Sequence, residues 1–253
     1  MNASKNKIEQ SDNADFLTSD LSAKGKNKKT KKKKKNKEIS FAAEIKRKSI
    51  HIISLLIPII YIFVTKHFAL TVLFIVMAGS VAFDLLSKRN AFFRNLLKKY
   101  LGDILRKHEL KKKKIVLNGG SWMTISAFFV VLIFPKFIAV VAMTIIVICD
   151  ISSALIGKRF GRNKLFKKSW EGSVSFFLAG VVVIWTYYFI FQPSLFYLLF
   201  GFIGVFIAAV GEAASKNIKI DDNLLVPAVI SIILYLGELY ANIFNQSFIY
   251  ILK

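Results

Sequence analysis

The sequence predicts an all-α fold, a polytopic membrane helix bundle of about seven transmembrane helices with a cytoplasmic N-terminus. Two observations support this fold class. First, 55% of the 253 residues are hydrophobic and the mean hydropathy is +0.51, with the apolar residues gathered in runs close to the length of a membrane span. Second, lysine and arginine are concentrated in alternate connections between these runs, as is typical of cytoplasmic loops.

Each candidate span is an apolar run bounded by charged or turn-forming residues. The runs are 50–65, 68–86, 121–134, 137–156, 174–191, 195–214 and 224–243. A transmembrane helix needs about 20 apolar residues, so the third run is short for a span. The last run ends irregularly around Glu238, Asn242 and Asn245, and counts of six or eight spans also fit the pattern.

The distribution of lysine and arginine predicts the orientation. Strongly basic stretches precede the first run and separate the second from the third and the fourth from the fifth, and Lys216 and Lys219 follow the sixth. The remaining connections carry little more than Lys66 and Lys136. Because cytoplasmic loops carry the excess of positive charge, the alternation predicts seven spans with the N-terminus in the cytoplasm.

Residues 1–43 form a polar, lysine-rich segment with 12 lysines against 5 acidic residues, which contributes +7 of the net charge of +22 and includes the run Lys31 to Lys35. This composition predicts a disordered cytoplasmic tail, followed by a transmembrane domain over 44–253. The tail either sets the topology or binds anionic membrane lipids. Nucleic acid is not expected as a partner, because no aromatic residues interleave with these lysines.

The connection between the second and third runs contains a helix of another kind. Apolar residues recur there at helical spacing, with basic residues between them, at Phe92, Phe93, Leu96, Leu97, Leu101, Ile104 and Leu105. The pattern predicts an amphipathic helix that lies along the cytoplasmic headgroups or packs on the end of the bundle.

Polar residues that are unusual for a membrane protein collect at the predicted cytoplasmic ends of the spans. They are Arg47, Lys48, His51, Asp84, Asp150, Glu171, Glu212, Asp221, Asp222 and Asn223. Asp150 lies seven residues before Gly157, about 10 Å into its helix, and an acid inside the membrane marks a functional site. Positions 47, 48 and 51 share one helix face. The one-sided clustering argues against a transport path, which needs polar residues across the bilayer.

The segment that follows Asp150 has the composition of an anion-binding loop. Its glycines and basic residues are Gly157, Lys158, Arg159, Gly161, Arg162, Lys164, Lys167 and Lys168. The spacing of the two glycines is common in helix packing, but the basic residues between them favour a backbone nest for phosphate. Ser169, with Glu171 two residues later, can instead act as a cap of the next helix.

Carboxylates beside a basic loop suit a polyphosphate that carries Mg²⁺, because this ion takes oxygen ligands from carboxylates and phosphates. Basic side chains and backbone amides then neutralise the remaining phosphate charge. The sequence contains no pair of histidines or cysteines with the spacing of a zinc site and no GxSxG nucleophile motif. Both facts count against a hydrolase.

The residues resemble a known superfamily, the CTP-using membrane transferases. Segments 150–164 (DISSALIGKRFGRNK) and 168–172 (KSWEG) resemble its shared core. The superfamily includes phosphatidate cytidylyltransferase and the CTP-dependent lipid kinases: dolichol kinase, phytol kinase and the fungal-type diacylglycerol kinase. Segments 47–51 (RKSIH) and 221–227 (DDNLLVP) resemble motifs of the kinases, and 118–122 (NGGSW) a small-residue element of the family. The Asp-Arg-x-Asp-Ser motif of the cytidylyltransferases is absent.

The resemblance implies that residues 44–253 form a catalytic domain that transfers the γ-phosphoryl group of CTP, with Mg²⁺, to the hydroxyl of diacylglycerol, polyprenol/dolichol or phytol. Such a transfer needs mainly positioning and charge stabilisation, with a carboxylate that orients the hydroxyl. The implied site consists of catalytic Asp150, Glu171, Glu212 and Asp222, of metal ligands Asp150 with Asp221 or Asp222, and of nucleotide or phosphate contacts Arg47, Lys48, His51, Gly157, Lys158, Arg159, Gly161, Lys164, Ser169 and Asn223. The spacing leaves open which acid is the base.

Two other functions are alternatives to that of a lipid kinase. A phosphatidate cytidylyltransferase would use the same core to make CDP-diacylglycerol from CTP and phosphatidic acid. A non-catalytic transporter or polybasic scaffold would make no use of the intramembrane acids. The preference for CTP over ATP follows from the resemblance alone, and the sequence predicts no oligomeric state. The expected location is a bacterial plasma membrane, or the endoplasmic reticulum membrane if the organism is eukaryotic.

Overall fold

A computed structural model describes residues 41–101, 117–166, 168–218, 220–248 and 252. The described residues belong to one compact unit, which spans 41–253. Almost the whole of the predicted tail, 1–43, therefore lies outside the described residues, and so does the second part of the predicted amphipathic helix, from 102 onward.

The described residues are almost entirely helical, which confirms the predicted all-α class. The elements are α1 Phe41–Ile53, α2 Leu56–Phe63, α3 Lys66–Arg89, α4 Ala91–Leu101, α5 Gly119–Ile133, α6 Lys136–Phe160, β1 Lys164–Leu165, β2 Lys168–Ser169, α7 Trp170–Phe191, α8 Leu195–Ile218 and α9 Asp222–Ile243. The two short strands pair in antiparallel fashion, with Lys164 opposite Ser169.

Five of these helices are long and apolar enough to cross a membrane, namely α3, α6, α7, α8 and α9. They support the prediction of a membrane protein. Helix α5 is also apolar but has only 15 residues, as short as its sequence indicated. The count of seven spans and the cytoplasmic N-terminus stay predictions.

The first apolar run, 50–65, does not form one continuous helix, because α1 and α2 are separated at Ser54 and Leu55. Pro58 explains the break. Proline has no N–H, and its ring crowds the carbonyl four residues earlier, which is that of Ser54. The Ser54 carbonyl accepts a hydrogen bond from the Ile57 N–H at 3.1 Å instead. The result is a tight turn between two short helices.

Helix α4 covers the first part of the predicted amphipathic helix. It follows α3 after Asn90, whose Oδ1 accepts a hydrogen bond from the Phe92 N–H at 2.9 Å. The ring of Phe93 meets that of Phe83 on α3 edge to face, with the ring centroids 5.9 Å apart. This contact supports the interpretation that the helix packs on the end of the bundle.

Helix α6 forms the centre of the bundle. Every residue from 137 to 147 is buried, and α1, α2, α5, α7 and α9 all contact this helix. A helix that is apolar all round is typical of a buried position. The outer helices instead expose large apolar side chains such as Phe189 and Ile190, as lipid contact requires. The central position of α6 brings Asp150, in its C-terminal half, next to residues of α1, α8 and α9.

The end of α6 and the start of α7 approach each other closely, and glycine makes the approach possible. A Cβ on Gly157 would lie 2.6 Å from Ser169 Oγ and 3.2 Å from Gly172 Cα, and one on Gly161 would lie 2.7 Å from Ser169 Cβ. No larger residue fits there without a shift of the backbone. The structure thus gives both glycines a packing role, and phosphate binding by this loop stays a prediction.

Candidate active site at one end of the helix bundle

Three helices bring three acids together. Asp150 on α6, Glu212 on α8 and Asp222 at the start of α9 each present a carboxylate oxygen, and these oxygens all lie within 4.8 Å of one another. Glu212 is 1% exposed, and the side chains of Asp150 and Asp222 are 13% and 12% exposed. Like charges this close repel strongly when they are shielded from water. The three-acid cluster therefore requires cations beside it.

Helix α1 supplies the first cation. Lys48 Nζ forms an ion pair with Asp150 Oδ2, and His51 Nε2 lies 3.4 Å from the same oxygen. The two residues are one turn apart, so the shared helix face expected for this motif brings both to Asp150. Arg47, the third residue of the motif, is half-buried on the same helix.

The β1–β2 hairpin supplies the second cation. Lys168 Nζ forms an ion pair with Glu212 Oε1 and donates to Asp222 Oδ2 at 3.0 Å. Burial alone would lower the pKa of Lys168, but attraction to the carboxylates of Asp222 and Glu212 outweighs it and raises the pKa. Lys168 therefore stays charged at neutral pH. The sequence placed this lysine in the basic loop but did not single it out, although it directly precedes the Ser-Trp-Glu-Gly motif.

One carboxylate oxygen of Glu212 accepts hydrogen bonds, and the other accepts none from the described residues. Its Oε1 accepts a hydrogen bond from Ser153 Oγ at 2.9 Å, and Ser153 lies one turn after Asp150 on α6. Its Oε2 is buried and has no hydrogen-bond partner among the described residues. Leaving a buried polar atom unpaired costs about 1–3 kcal/mol. Together with the oxygens of Asp150 and Asp222, this free oxygen fits Mg²⁺, which takes carboxylate ligands.

Of the two neighbouring aspartates, only Asp222 joins the three-acid cluster. Asp221 is the N-cap of α9, where its Oδ1 accepts hydrogen bonds from the Asn223 N–H at 3.1 Å and from Asn223 Nδ2 at 2.8 Å. Asn223 Nδ2 also donates to the Gly119 carbonyl at 3.4 Å, which links α9 to the start of α5. The geometry therefore supports Asp222 rather than Asp221 as a partner of Asp150.

Glu171 lies outside the three-acid cluster. Its Oε1 accepts hydrogen bonds from the backbone N–H groups of Arg162 at 2.9 Å and Asn163 at 3.1 Å, so it holds the loop after α6. Ser169 Oγ accepts a hydrogen bond from the Gly172 N–H at 3.2 Å and caps α7, as its sequence position suggested. Both residues shape the loop and the hairpin that carries Lys168.

Three further predicted phosphate contacts are exposed. Lys158 and Arg159 lie in the last turn of α6, and Lys164 lies in β1. A set of carboxylates with basic side chains beside it can bind a cation and a polyanion together.

Asp84, which the sequence also placed at this end, has a different environment. It is 4% exposed, and its Oδ2 accepts hydrogen bonds from the Asn118 N–H and from Ser121 Oγ, both at 2.8 Å. Its Oδ1 accepts a hydrogen bond from Asn118 Nδ2 at 2.6 Å. These neutral donors join the end of α3 to the start of α5.

Two relatives show where the chain belongs. It is 30% identical over 195 residues to an uncharacterized protein of Rickettsia prowazekii, a match that covers 76% of this chain and 93% of the relative. It is also 30% identical over 161 residues to CTP-dependent diacylglycerol kinase 1 of Schizosaccharomyces pombe, a match that covers 57% of this chain and 69% of the relative. No family model matches the chain, and no solved structure matches it at a significant level. With more than two thirds of the yeast protein covered at this identity, the chain belongs to the family of CTP-dependent diacylglycerol kinase 1.

Proposed function

We propose that the protein is an integral-membrane kinase that transfers the γ-phosphoryl group of CTP to the hydroxyl of a lipid alcohol at the cytoplasmic face of the membrane. The observation that carries the proposal is the three-acid cluster of Asp150, Glu212 and Asp222, with Lys48 and Lys168 beside it, at one end of a membrane helix bundle. The kinship with CTP-dependent diacylglycerol kinase 1 supports the reaction class. Diacylglycerol is the acceptor that we propose first.

The three carboxylates would hold Mg²⁺. When bound, the ion would neutralise phosphate charge, including the charge that develops during transfer. Glu212 Oε2, which is buried and has no hydrogen-bond partner in the described ranges, supports a ligand at this position. Ser153 orients the Glu212 carboxylate through its hydrogen bond to Oε1.

Buried Lys48 and half-buried Lys168 would bind the phosphates. Lys48 and Lys168 form ion pairs with the acids of the cluster. A lysine ammonium is a compact charge with three donors on a flexible stem, so both side chains could turn from the carboxylates to phosphate oxygens. The exposed Lys158, Arg159 and Lys164 extend the positive surface over the nucleotide.

The chemical step is a direct transfer. The lipid hydroxyl oxygen forms a bond to the γ-phosphorus, and the bond from this phosphorus to the oxygen that bridges to the β-phosphate breaks. CDP leaves, and the hydroxyl proton passes to a carboxylate of the three-acid cluster. The protein contributes mainly the positions of the reactants and the charge around them.

We place the active site on the cytoplasmic side of a bacterial plasma membrane. Basic residues close both α3 and α6 at the end that carries the site, at Lys88, Arg89, Lys158 and Arg159, in agreement with the positive-inside rule. The similarity over nearly the full length of a Rickettsia prowazekii protein supports a bacterial membrane.

The test is a transfer assay with purified protein in detergent. Diacylglycerol, a polyprenol and phytol are offered in turn with γ-labelled CTP or γ-labelled ATP, with and without Mg²⁺. We expect Mg²⁺-dependent labelling of the lipid from CTP, and loss of labelling in Asp150→Asn. Transfer of α-label from CTP to a CDP-lipid with phosphatidic acid, without any lipid phosphate, would show a phosphatidate cytidylyltransferase instead.

A further inference from the structure

The tip of the β1–β2 hairpin carries an exposed aromatic side chain. Two residues, 166 and 167, connect the strands, and Phe166 is the first of them. It is 57% exposed. Phe160, at the end of α6, is exposed to the same extent, but the guanidinium of Arg159 lies 5.3 Å from the centroid of its ring. Packing within the bundle gives little reason for a phenylalanine at the hairpin tip.

The backbone conformation of Phe166 is also unfavourable for this residue type. Its φ is 53°, in the left-handed region where a Cβ crowds the backbone. Gln192 and Asn245 are the other described non-glycine residues with a positive φ, and both lie at a helix end, where this conformation is common. Hairpin turns of two residues prefer glycine, asparagine or aspartate at such a position. A residue that is both strained and exposed is a candidate for a functional contact.

Hydrogen bonds at its base hold the hairpin in place. Ser169 Oγ donates to the Gly157 carbonyl at 3.4 Å, which ties β2 to the end of α6. Glu171 Oε1 accepts a hydrogen bond from the Asn163 N–H at 3.1 Å, which ties the start of β1 to α7. Because the hairpin is fixed at both strands, a ligand that contacts its tip has little chain to order.

Phe166 lies close to the three-acid cluster along the hairpin. Leu165 pairs with Lys168, so Phe166 directly follows the residue opposite the lysine that contacts two of the acids. Two residues of extended chain span about 7 Å at most. Lys164, which precedes this pair on β1, is exposed and basic. A ligand that begins at the acids and extends outward along the hairpin can therefore meet the Phe166 ring.

A nucleotide has the chemistry that this surface would complement. Its phosphates would lie at the acids and lysines, and its ribose separates them from the base. The base is directed away from the bundle interior, because residues 137–147, which precede Asp150 on α6, are all buried among packed side chains. An exposed phenylalanine ring offers a flat face on which a base can stack, and the lysines beside it attract the phosphates.

We propose that Phe166 is the stacking platform for the base of the nucleotide. The β1–β2 hairpin then binds both ends of this ligand, the phosphates through Lys168 and the base through Phe166. The inference rests on the proposed function and adds the subsite for the base. Stacking uses the flat face that all bases share, so Phe166 contributes affinity for the nucleotide without choosing between CTP and ATP.

The first test measures binding without transfer. The ligands are Mg²⁺–CTP and Mg²⁺–tripolyphosphate, which has no base, and the protein is purified in detergent. Phe166→Ala should raise the Kd for CTP roughly tenfold, because base–aromatic stacking is lost, and should leave the Kd for tripolyphosphate unchanged. Phe166→Trp should bind CTP like wild type, whereas Phe166→Leu should lose affinity. An unchanged CTP Kd in Phe166→Ala, or an equal loss for both ligands, overturns the proposal.

A matched control separates stacking from a general effect of exposed aromatic residues. Phe92 on α4 is 67% exposed, and Phe92→Ala should change neither Kd. Equal weakening of CTP binding by Phe92→Ala would contradict a specific platform. A higher KM for the lipid in Phe166→Ala, at an unchanged CTP Kd, would show that the ring contacts the membrane instead.

The second test separates binding of the base from a role in folding. Phe166→Gly removes the strained side chain, so it should raise the melting temperature while it weakens CTP binding. A lower melting temperature would show that the ring stabilises the fold. Weaker CTP binding in Phe166→Ala, without phosphate transfer by wild type to any lipid alcohol, would refute the kinase but keep the platform. Phosphate transfer with an unchanged CTP Kd in Phe166→Ala would refute the platform but keep the kinase.

Discussion

Two neighbouring regions of the molecule bury acidic side chains in opposite ways. Both oxygens of Asp84 accept hydrogen bonds from neutral donors of Asn118 and Ser121. The three-acid cluster instead has carboxylate oxygens of three acids within 4.8 Å of one another and ion pairs with Lys48 and Lys168. Its Glu212 Oε2 has no hydrogen-bond partner in the part of the chain that the structure describes. The regions are adjacent, since Asn223 next to Asp222 donates to the carbonyl of Gly119 next to Asn118.

The difference shows that burial of an acid does not by itself identify a functional site. An acid whose oxygens all accept hydrogen bonds from neutral donors of the fold is stabilised without a ligand. Glu238, near the other end of α9, is a second example, since it accepts hydrogen bonds from Ser247 Oγ and the Phe248 N–H. Crowded acids with an unpaired oxygen are costly to keep, and that cost is removed when a cation binds.

The largest expected effect is a loss of phosphoryl transfer that occurs on substitution in the three-acid cluster but not at Asp84. Asp150→Asn should lower the rate of phosphoryl transfer roughly 10²–10³-fold, because a preorganised charge at the site is lost. The measurement is the initial rate with CTP and diacylglycerol, with helix content checked by circular dichroism. Asp84→Asn is the matched control and should keep most of the transfer rate per folded molecule. Equal losses in the two variants would contradict the distinction.

The second effect is on stability. Lys168→Met leaves the Glu212 carboxylate buried without its cation and should lower the free energy of unfolding by about 3–5 kcal/mol. Because a metal ion can replace the ammonium, Mg²⁺ should restore more stability to this variant than to wild type. Thermal unfolding in detergent with and without Mg²⁺ measures both quantities. Lys164→Met, on the exposed side of the same hairpin, should behave like wild type in both conditions.

Substitution of Asp84 should change the stability of the protein and not its activity. Asp84→Asn places an amide group against the donors of Asn118 and should lower the free energy of unfolding by about 1–3 kcal/mol. The KM values for CTP and lipid should stay unchanged. Addition of Mg²⁺ should not restore the lost stability, in contrast to Lys168→Met. Restoration by Mg²⁺ would place Asp84 among the metal ligands.

A fourth prediction concerns the glycines at the edge of the site. Gly157→Ala should lower the free energy of unfolding by about 1–3 kcal/mol, because the new methyl group meets Ser169 Oγ and Gly172 Cα. Gly79→Ala in α3, where a Cβ meets nothing within 4 Å, should be neutral or stabilising. Weaker CTP binding by Gly157→Ala at unchanged melting temperature would favour a phosphate nest over helix packing.

The smallest expected effect concerns pH: the contribution of Lys168 to the free energy of unfolding should not change around neutral pH. The pKa of Lys168 is raised, so its ion pairs contribute fully below the unfolded pKa of about 10.4 and are lost only as the pH rises through the folded pKa. The difference in unfolding free energy between wild type and Lys168→Met should therefore stay constant between about pH 7 and pH 9. A difference that shrinks across this window would show that the ammonium deprotonates there.

Much of the fold could be predicted because its signals are local. Apolar runs of about 20 residues and the alternation of basic loops indicate membrane helices without any knowledge of packing. The break at Ser54 was missed, although Pro58 inside the run was visible, because a proline in a membrane helix can be accommodated in several ways. The short length of α5 was visible in the sequence as well.

Less of the candidate site could be predicted. Asp150, Glu212 and Asp222 were candidates because acids are rare in membrane spans. Asp221 and Asp222 could not be told apart, since both precede the same helix and only one becomes its N-cap. Lys168 was hidden among seven other glycines and basic residues of its loop, and only its contacts with Glu212 and Asp222 distinguish it.

By itself the sequence determined that the chain is a helical membrane protein with acids and bases gathered at the ends of its apolar runs. The tertiary structure decided which of them meet. Lys48 and Asp150 are 102 residues apart, and Lys168 and Glu212 are 44 apart, so their contacts depend on how the helices pack around α6. Composition and periodicity describe each helix alone, whereas a metal or phosphate site requires atoms from several helices within a few ångströms. Packing alone brings them that close.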